Sequence, residues 1–195
     1  LDFPFRFRHV HIPLEDMPEF ALQIRDHMLT AAMAAKIELT RNGPEDLGPQ
    51  VVYVSADKPA LAMIQPVVIG DDIEPPMLLD LTLQAARNEF GKPALVAFMA
   101  EAYMREFGPD EDLDPDYERG DFQRDPRAKE CLNLIIVYRL PDGGVSNYDS
   151  MITFYYADGT VQFDEPRHLT DEGDPEQSAG LLLEVMKGHF AIENN

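Results

Sequence analysis

Between residues 94 and 163 the chain passes through four strand-like segments, the last three separated only by tight turns, and this constrains the fold more than anything else in it. Ala94–Ala100 is short and continuously apolar, as a strand buried on both faces would be. Cys131–Leu140 is apolar on both of its alternating faces, and the turn Pro141-Asp142-Gly143-Gly144 leads into Tyr148–Tyr156. Asp158-Gly159 then gives a strong hairpin signal before Thr160–Phe163. Strands joined so closely pair antiparallel, which predicts a C-terminal meander. Periodicity alone leaves a helical continuation of 94–100 through Phe107 open.

Upstream, Phe3 to Ile12 alternates Phe3, Phe5 and Phe7 with Arg6 and Arg8, suggesting a strand or an extended arm within residues 1–14. A long helix is expected from Met17 to Asn42. Asp16 would be its cap, Glu19 would complete a capping box, and Gly43-Pro44 would stop it. Phe20, Ile24, Met28, Ala31, Ala35 and Leu39 fall on one face, and Leu22, Leu29, Met33 and Ile37 nearly opposite. A helix apolar on two sides is buried between layers or shared with another subunit, and burial within the chain is the simpler case. Two strands follow, Gln50–Ala56 and Leu61–Ile69, with a turn at Asp57–Pro59; Pro66 marks an edge or bulge. A second helix spans Pro76–Phe90 with Gly91 as its stop, and a third starts at Asp174-Pro175 with Gln177 completing its box. Strands and helices are not strictly interleaved. The chain therefore reads as one α+β domain over 1–195, with an antiparallel or mixed sheet of about six strands packed by three helices.

Charge narrows the classes of partner. Thirty-six acidic residues face sixteen basic ones, a net charge of −20. Such a surface repels nucleic-acid phosphates and anionic headgroups and attracts basic partners or cations. Within residues 106–125, nine acids against two arginines give −7, and Pro109 and Pro115 mark a long acidic surface loop. The lone Cys131 forbids an intramolecular disulfide and suits a reducing compartment. No apolar run reaches the roughly 18–20 residues that cross a bilayer. The opening Leu-Asp-Phe-Pro-Phe-Arg does not read as a signal peptide, and its lack of Met leaves room for preceding residues. The expected compartment is the cytoplasm, with no membrane association.

The residue singled out for chemistry is Glu101. It follows the apolar run in phase with Ala97 and Met99, and a carboxylate at a strand end can be desolvated and serve as acid, base or ligand. Tyr103, Arg105 and Arg127 are its candidate helpers; the plainer expectation is an ion pair with an arginine such as Arg105. Asp110, Asp112, Asp114 and Asp116 superficially follow a calcium loop, but Pro115 and Asp121 stand where an EF-hand has Gly and a bidentate Glu. His9 and His11 share a side of an extended segment, yet two imidazoles fall short of the three or four ligands zinc takes. Phosphate-loop, dinucleotide, nucleophile-elbow and zinc-protease motifs are missing, and no cofactor is expected. Tyr138, Tyr148, Phe154, Tyr155 and Tyr156 concentrate aromatics in the meander. Most would be core; any exposed ones would be contact sites.

The pieces Glu101-Ala-Tyr103 and Asp125-Pro-Arg127, with Glu130 close by, resemble a group of uncharacterised bacterial and phage proteins. In these an apolar strand ends in Glu-x-aromatic, and an Asp-Pro-x-Arg-type sequence precedes the next strand. The resemblance covers residues 94–137 and implies a compact domain with no activity to carry over. Five lysines against eleven arginines suit a GC-rich bacterial genome. The leading expectation is a bacterial or phage protein that binds a macromolecule without catalysis, through the acidic stretches 106–125 and 164–176 or the aromatic meander. A homodimer through the arm Phe3–His11 is compatible with it. The alternative is a small enzyme or ligand-binding domain with its pocket at Glu101. DNA mimicry ranks last, because the acids cluster in loops.

Overall fold

Strand alternation sorts the apolar residues of the central strands into two sets, and each set meets its own helical layer. The computed structural model describes residues 5–41, 46–66, 74–104, 125–168 and 181–191. Among these, the strands are β1 (Phe5–His9), β2 (Gln50–Ser55), β3 (Ala60–Ile64), β4 (Pro93–Met104), β5 (Lys129–Arg139), β6 (Val145–Ala157), β7 (Thr160–Phe163) and β8 (Arg167–His168). The helices are α1 (Met17–Thr40), α2 (Pro75–Phe90) and α3 (Leu181–Ala191). The strands form one sheet in the order β1-β3-β2-β4-β5-β6-β7, with β8 also paired to β6, and every pairing is antiparallel. The α+β class, the meander and the three helices are as the sequence predicts. The sheet has eight strands where about six were expected, because Phe5–His9 pairs with β3 and a two-residue β8 returns to β6.

On one face Leu95, Ala97 and Met99 of β4 join Leu132, Leu134 and Ile136 of β5, Ile152 of β6 and Val161 of β7 beneath α1. On the other, Val96 and Phe98 join Ile135 and Val137 beneath Leu79 and Leu83 of α2 and Leu183, Met186 and Phe190 of α3. Burial on both sides explains why β4 and β5 read as unbroken apolar runs. β4 runs on to Met104, so the segment after Ala100 is strand and not helix, and Glu101 lies inside it instead of at its end.

α1 is a one-sided surface helix. Met17, Ala21, Met28, Leu29, Ala32 and Lys36 are buried, whereas Ile37 of the second apolar face is 40% exposed. Its capping box is not formed: Asp16 belongs to a 3-10 turn, Leu14–Asp16, has helical dihedrals itself and makes no side-chain cap. The expected starting signals of the last helix, Asp174 to Gln177, lie outside the described residues, as do Arg105, nearly all of 106–125 and most of 164–176.

Side chains from neighbouring elements satisfy the helix ends. At the C-terminus of α2, Ser55 donates to Phe90 O at 2.5 Å, Lys58 to Glu89 O at 2.5 Å and the Tyr53 hydroxyl to Gly91 O. At the C-terminus of α3, Arg87 donates to His189 O at 3.1 Å and Arg139 to Phe190 O at 2.9 Å. Cationic donors there complete orphaned carbonyls and oppose the negative end of the helix dipole.

Candidate functional site

Glu101 faces α1, because it continues the alternation Leu95, Ala97, Met99 along β4. Directly over it stands Lys36, which occupies the buried stripe of α1 one turn after Ala32 and is only 1% exposed. The Lys36 ammonium lies 2.9 Å from Glu101 Oε2 and 2.8 Å from Oε1, and the Leu47 N–H donates to Oε1 at 2.6 Å. The ammonium also sits 5.0 Å from the centre of the Phe154 ring and bonds with Tyr156. A buried ammonium of this kind needs both charge and hydrogen-bond compensation, and here β4, β6 and the chain entering β2 supply it.

The protonation states follow from these contacts. Burial works to lower the Lys36 pKa, but the hydrogen bond and charge of Glu101, with help from Tyr156, raise it above the ordinary lysine value. Lys36 is therefore a cation at neutral pH and not an amine nucleophile. Burial pushes the Glu101 carboxyl up, while Lys36 and the Leu47 N–H act to hold it down. Cys131 is pushed up to about 12 by burial and then by the Glu101 charge, so its thiol is a packing group.

Of the predicted helpers, Tyr103 is brought to the same face as Glu101, two residues along β4, with its hydroxyl 3.5 Å from Glu130 Oε1. Arg127 is turned to Asp125, with Nε 3.2 Å from Oδ1. Arg105 lies outside the described residues. Among the described residues, the charged partner of Glu101 is thus Lys36. The signal for it was present: Met28, Ala32 and Lys36 recur at four-residue spacing, which puts a lysine on the buried stripe.

The remaining expected sites are dispersed. His9 Nδ1 is 3.1 Å from Pro59 O at the edge strand, and His11 is exposed beyond the strand end. His168 Nδ1 meets Ser150 Oγ at 2.9 Å, and His189 Nε2 meets Asp80 Oδ1 at 2.8 Å; sequence reasoning anticipated neither pair. Among the described residues no three or more His, Cys, Asp or Glu side chains group to hold a metal ion, and no helix is long and apolar enough to cross a membrane.

The meander aromatics divide as expected. Tyr138 and Phe154 are core, and Tyr138 stacks on Tyr148 at 5.2 Å. Tyr155 and Tyr156 are 54% and 46% exposed, on opposite faces of β6. Tyr156 packs edge-on to Phe154, which lies opposite Glu130, which in turn lies opposite Tyr103. Tyr103, Glu130 and Tyr156 therefore share one end of the α1 face with Ile37, around the covered Lys36–Glu101 pair. β4 ends at Met104 and β5 begins at Lys129 at this same end of the sheet.

A second buried acid lies on the opposite face. Asp149 of β6 is 6% exposed; burial pushes its carboxyl up to about 6, with Lys187 of α3 opposing that. The folded chain then binds a proton that the unfolded chain, with its ordinary value of 3.8, has lost. The contribution of Asp149 to stability accordingly falls as pH rises from about 4 to above 6, by about 3 kcal/mol. Asp149→Asn is expected to abolish that fall and to stabilise the protein above pH 6. Urea unfolding at pH 4, 5, 6 and 7 checks this; an Asn variant with the wild-type slope would contradict it.

No protein-family model, curated protein or solved structure matches the chain, so the resemblance of residues 94–137 rests on its own residues.

Proposed function

We propose that the chain works by binding a protein partner, without catalysis, at the end of the sheet where Tyr103 and Tyr156 are exposed. The observation that carries this reading is the contrast between the covered ion pair and the open tyrosines around it. Both Glu101 oxygens are taken up by Lys36 and the Leu47 N–H, while the Tyr103 and Tyr156 side chains beside them are 39% and 46% exposed. A satisfied, charge-paired carboxylate is a poor general acid or base, whereas amphipathic tyrosines bury a large area at low entropic cost on contact. The net charge of −20 favours a basic partner surface.

The test is affinity capture from a bacterial lysate with stepwise salt elution, comparing the wild type with Tyr103→Ala and Tyr156→Ala. Tyr155→Ala, exposed on the other face, is the control. A stoichiometric protein released by moderate salt, lost from the first two variants and kept by the third, is the expected result. Equal retention by all three would count against the site.

A further inference from the structure

We propose that the outer edge of β1 takes up an extended acidic segment of a partner protein as an added antiparallel strand. This surface is separate from the tyrosine end, since β3 and β2 lie between β1 and β4. β1 closes one side of the sheet and, among the described residues, pairs with β3 alone. One bond just beyond the strand fixes its backbone direction. The Val10 N–H donates to Pro59 O at 3.1 Å, so Val10, Arg8 and Arg6 turn their backbone groups toward β3. By alternation Phe5 and Phe7 turn theirs to the outer edge, where they form a template for another strand.

Charge selects which strand can add. Residues 5–11 hold Arg6, Arg8, His9 and His11 and no acid, in a chain of net charge −20. β3 beside them reads Ala-Leu-Ala-Met-Ile and adds no charge. Arg6 and Arg8 are alternate residues, in register with Met63 and Leu61, so they belong to one face of the sheet. Arg8 is exposed, and so is Met63, at 45%. Pairing about Phe7 with the β1 of a second copy would set Arg6 against the copy's Arg8, twice, and like charges directly opposite each other destabilise a sheet. A strand with acids two residues apart reverses that sign. Its central residue bonds to Phe7, and its acids stand opposite Arg6 and Arg8, in the pairs whose side chains approach most closely. Backbone bonds supply the affinity and the alternate acids the specificity.

The probe is the end-blocked pentapeptide Thr-Glu-Val-Glu-Thr, titrated into isotopically labelled full-length protein and followed by NMR. Shifts centred on β1 and the adjoining β3 are expected. The peptide Thr-Lys-Val-Lys-Thr should bind about tenfold more weakly, and Arg8→Glu should weaken the acidic peptide about threefold to tenfold. The acidic peptide N-methylated at its valine cannot complete the strand bonds to Phe7 and should lose binding. Equal binding of the N-methylated peptide would show that charge alone holds it and would overturn the inference. So would a lysine peptide that binds as tightly as the acidic one, shifts centred away from β1, or no shifts at millimolar peptide. Concentration-dependent shifts of β1 in the protein alone would mean that a second copy occupies the edge, and would overturn it too.

Discussion

Replacing Lys36 by Met is expected to destabilise the protein by about 3–5 kcal/mol, because it strands the Glu101 carboxylate beneath α1. For a chain of this size that corresponds to a fall in Tm of about 6–20 °C. The ammonium is 1% exposed and the Glu101 side chain 15%, so water can replace little of what is lost. Lys36→Met combined with Glu101→Gln should recover most of the loss, since removing both charges also removes the cost of burying them. Urea unfolding of the two single variants and the double variant measures the coupling directly. A Lys36→Met protein within 1 kcal/mol of wild type would mean the pair is solvated in solution.

The second large effect is expected at Gly91, where Ala should cost about 3 kcal/mol. Gly91 ends α2 with φ +88°, a conformation that side chains with a Cβ rarely adopt. A Cβ there would also lie 2.5 Å from Asp57 Oδ2, the oxygen that accepts the Lys92 N–H at 2.6 Å. Gly143 is a positive-φ glycine without the contact. It has φ +86° but nothing within 4 Å of a Cβ, so Gly143→Ala should show the conformational cost alone, about 1 kcal/mol. Equal losses at both glycines would show that the Asp57 contact yields easily.

Much of the fold was legible because local signals agreed with tertiary demands. The continuous apolar runs of β4 and β5, the Asp158-Gly159 turn and the Gly91 stop each carry a physical instruction that needs no distant partner. The errors lie where a distant contact decides. The apolar run ends at Ala100 but β4 continues to Met104, because a lysine from α1 makes a carboxylate tolerable inside a buried strand. Asp16 looked like a cap, but the preceding 3-10 turn places it in helical conformation. The candidate site was half legible. Glu101 and Tyr103 stand out from strand phase alone, and Lys36 was recoverable from its place on the stripe. The approach of Leu47 and Asp46, and the pairing of Tyr103 with Glu130, depend on register between segments far apart in the chain.

The most direct test of where function lies is partner capture by two folded variants measured side by side, Tyr103→Ala and the charge-free pair Lys36→Met/Glu101→Gln. If the tyrosine end recognises the partner and the ion pair only holds the sheet to α1, the first loses binding and the second keeps it. Full binding by Tyr103→Ala, with none by the charge-free pair at matched Tm, would place function at Glu101 and contradict the account.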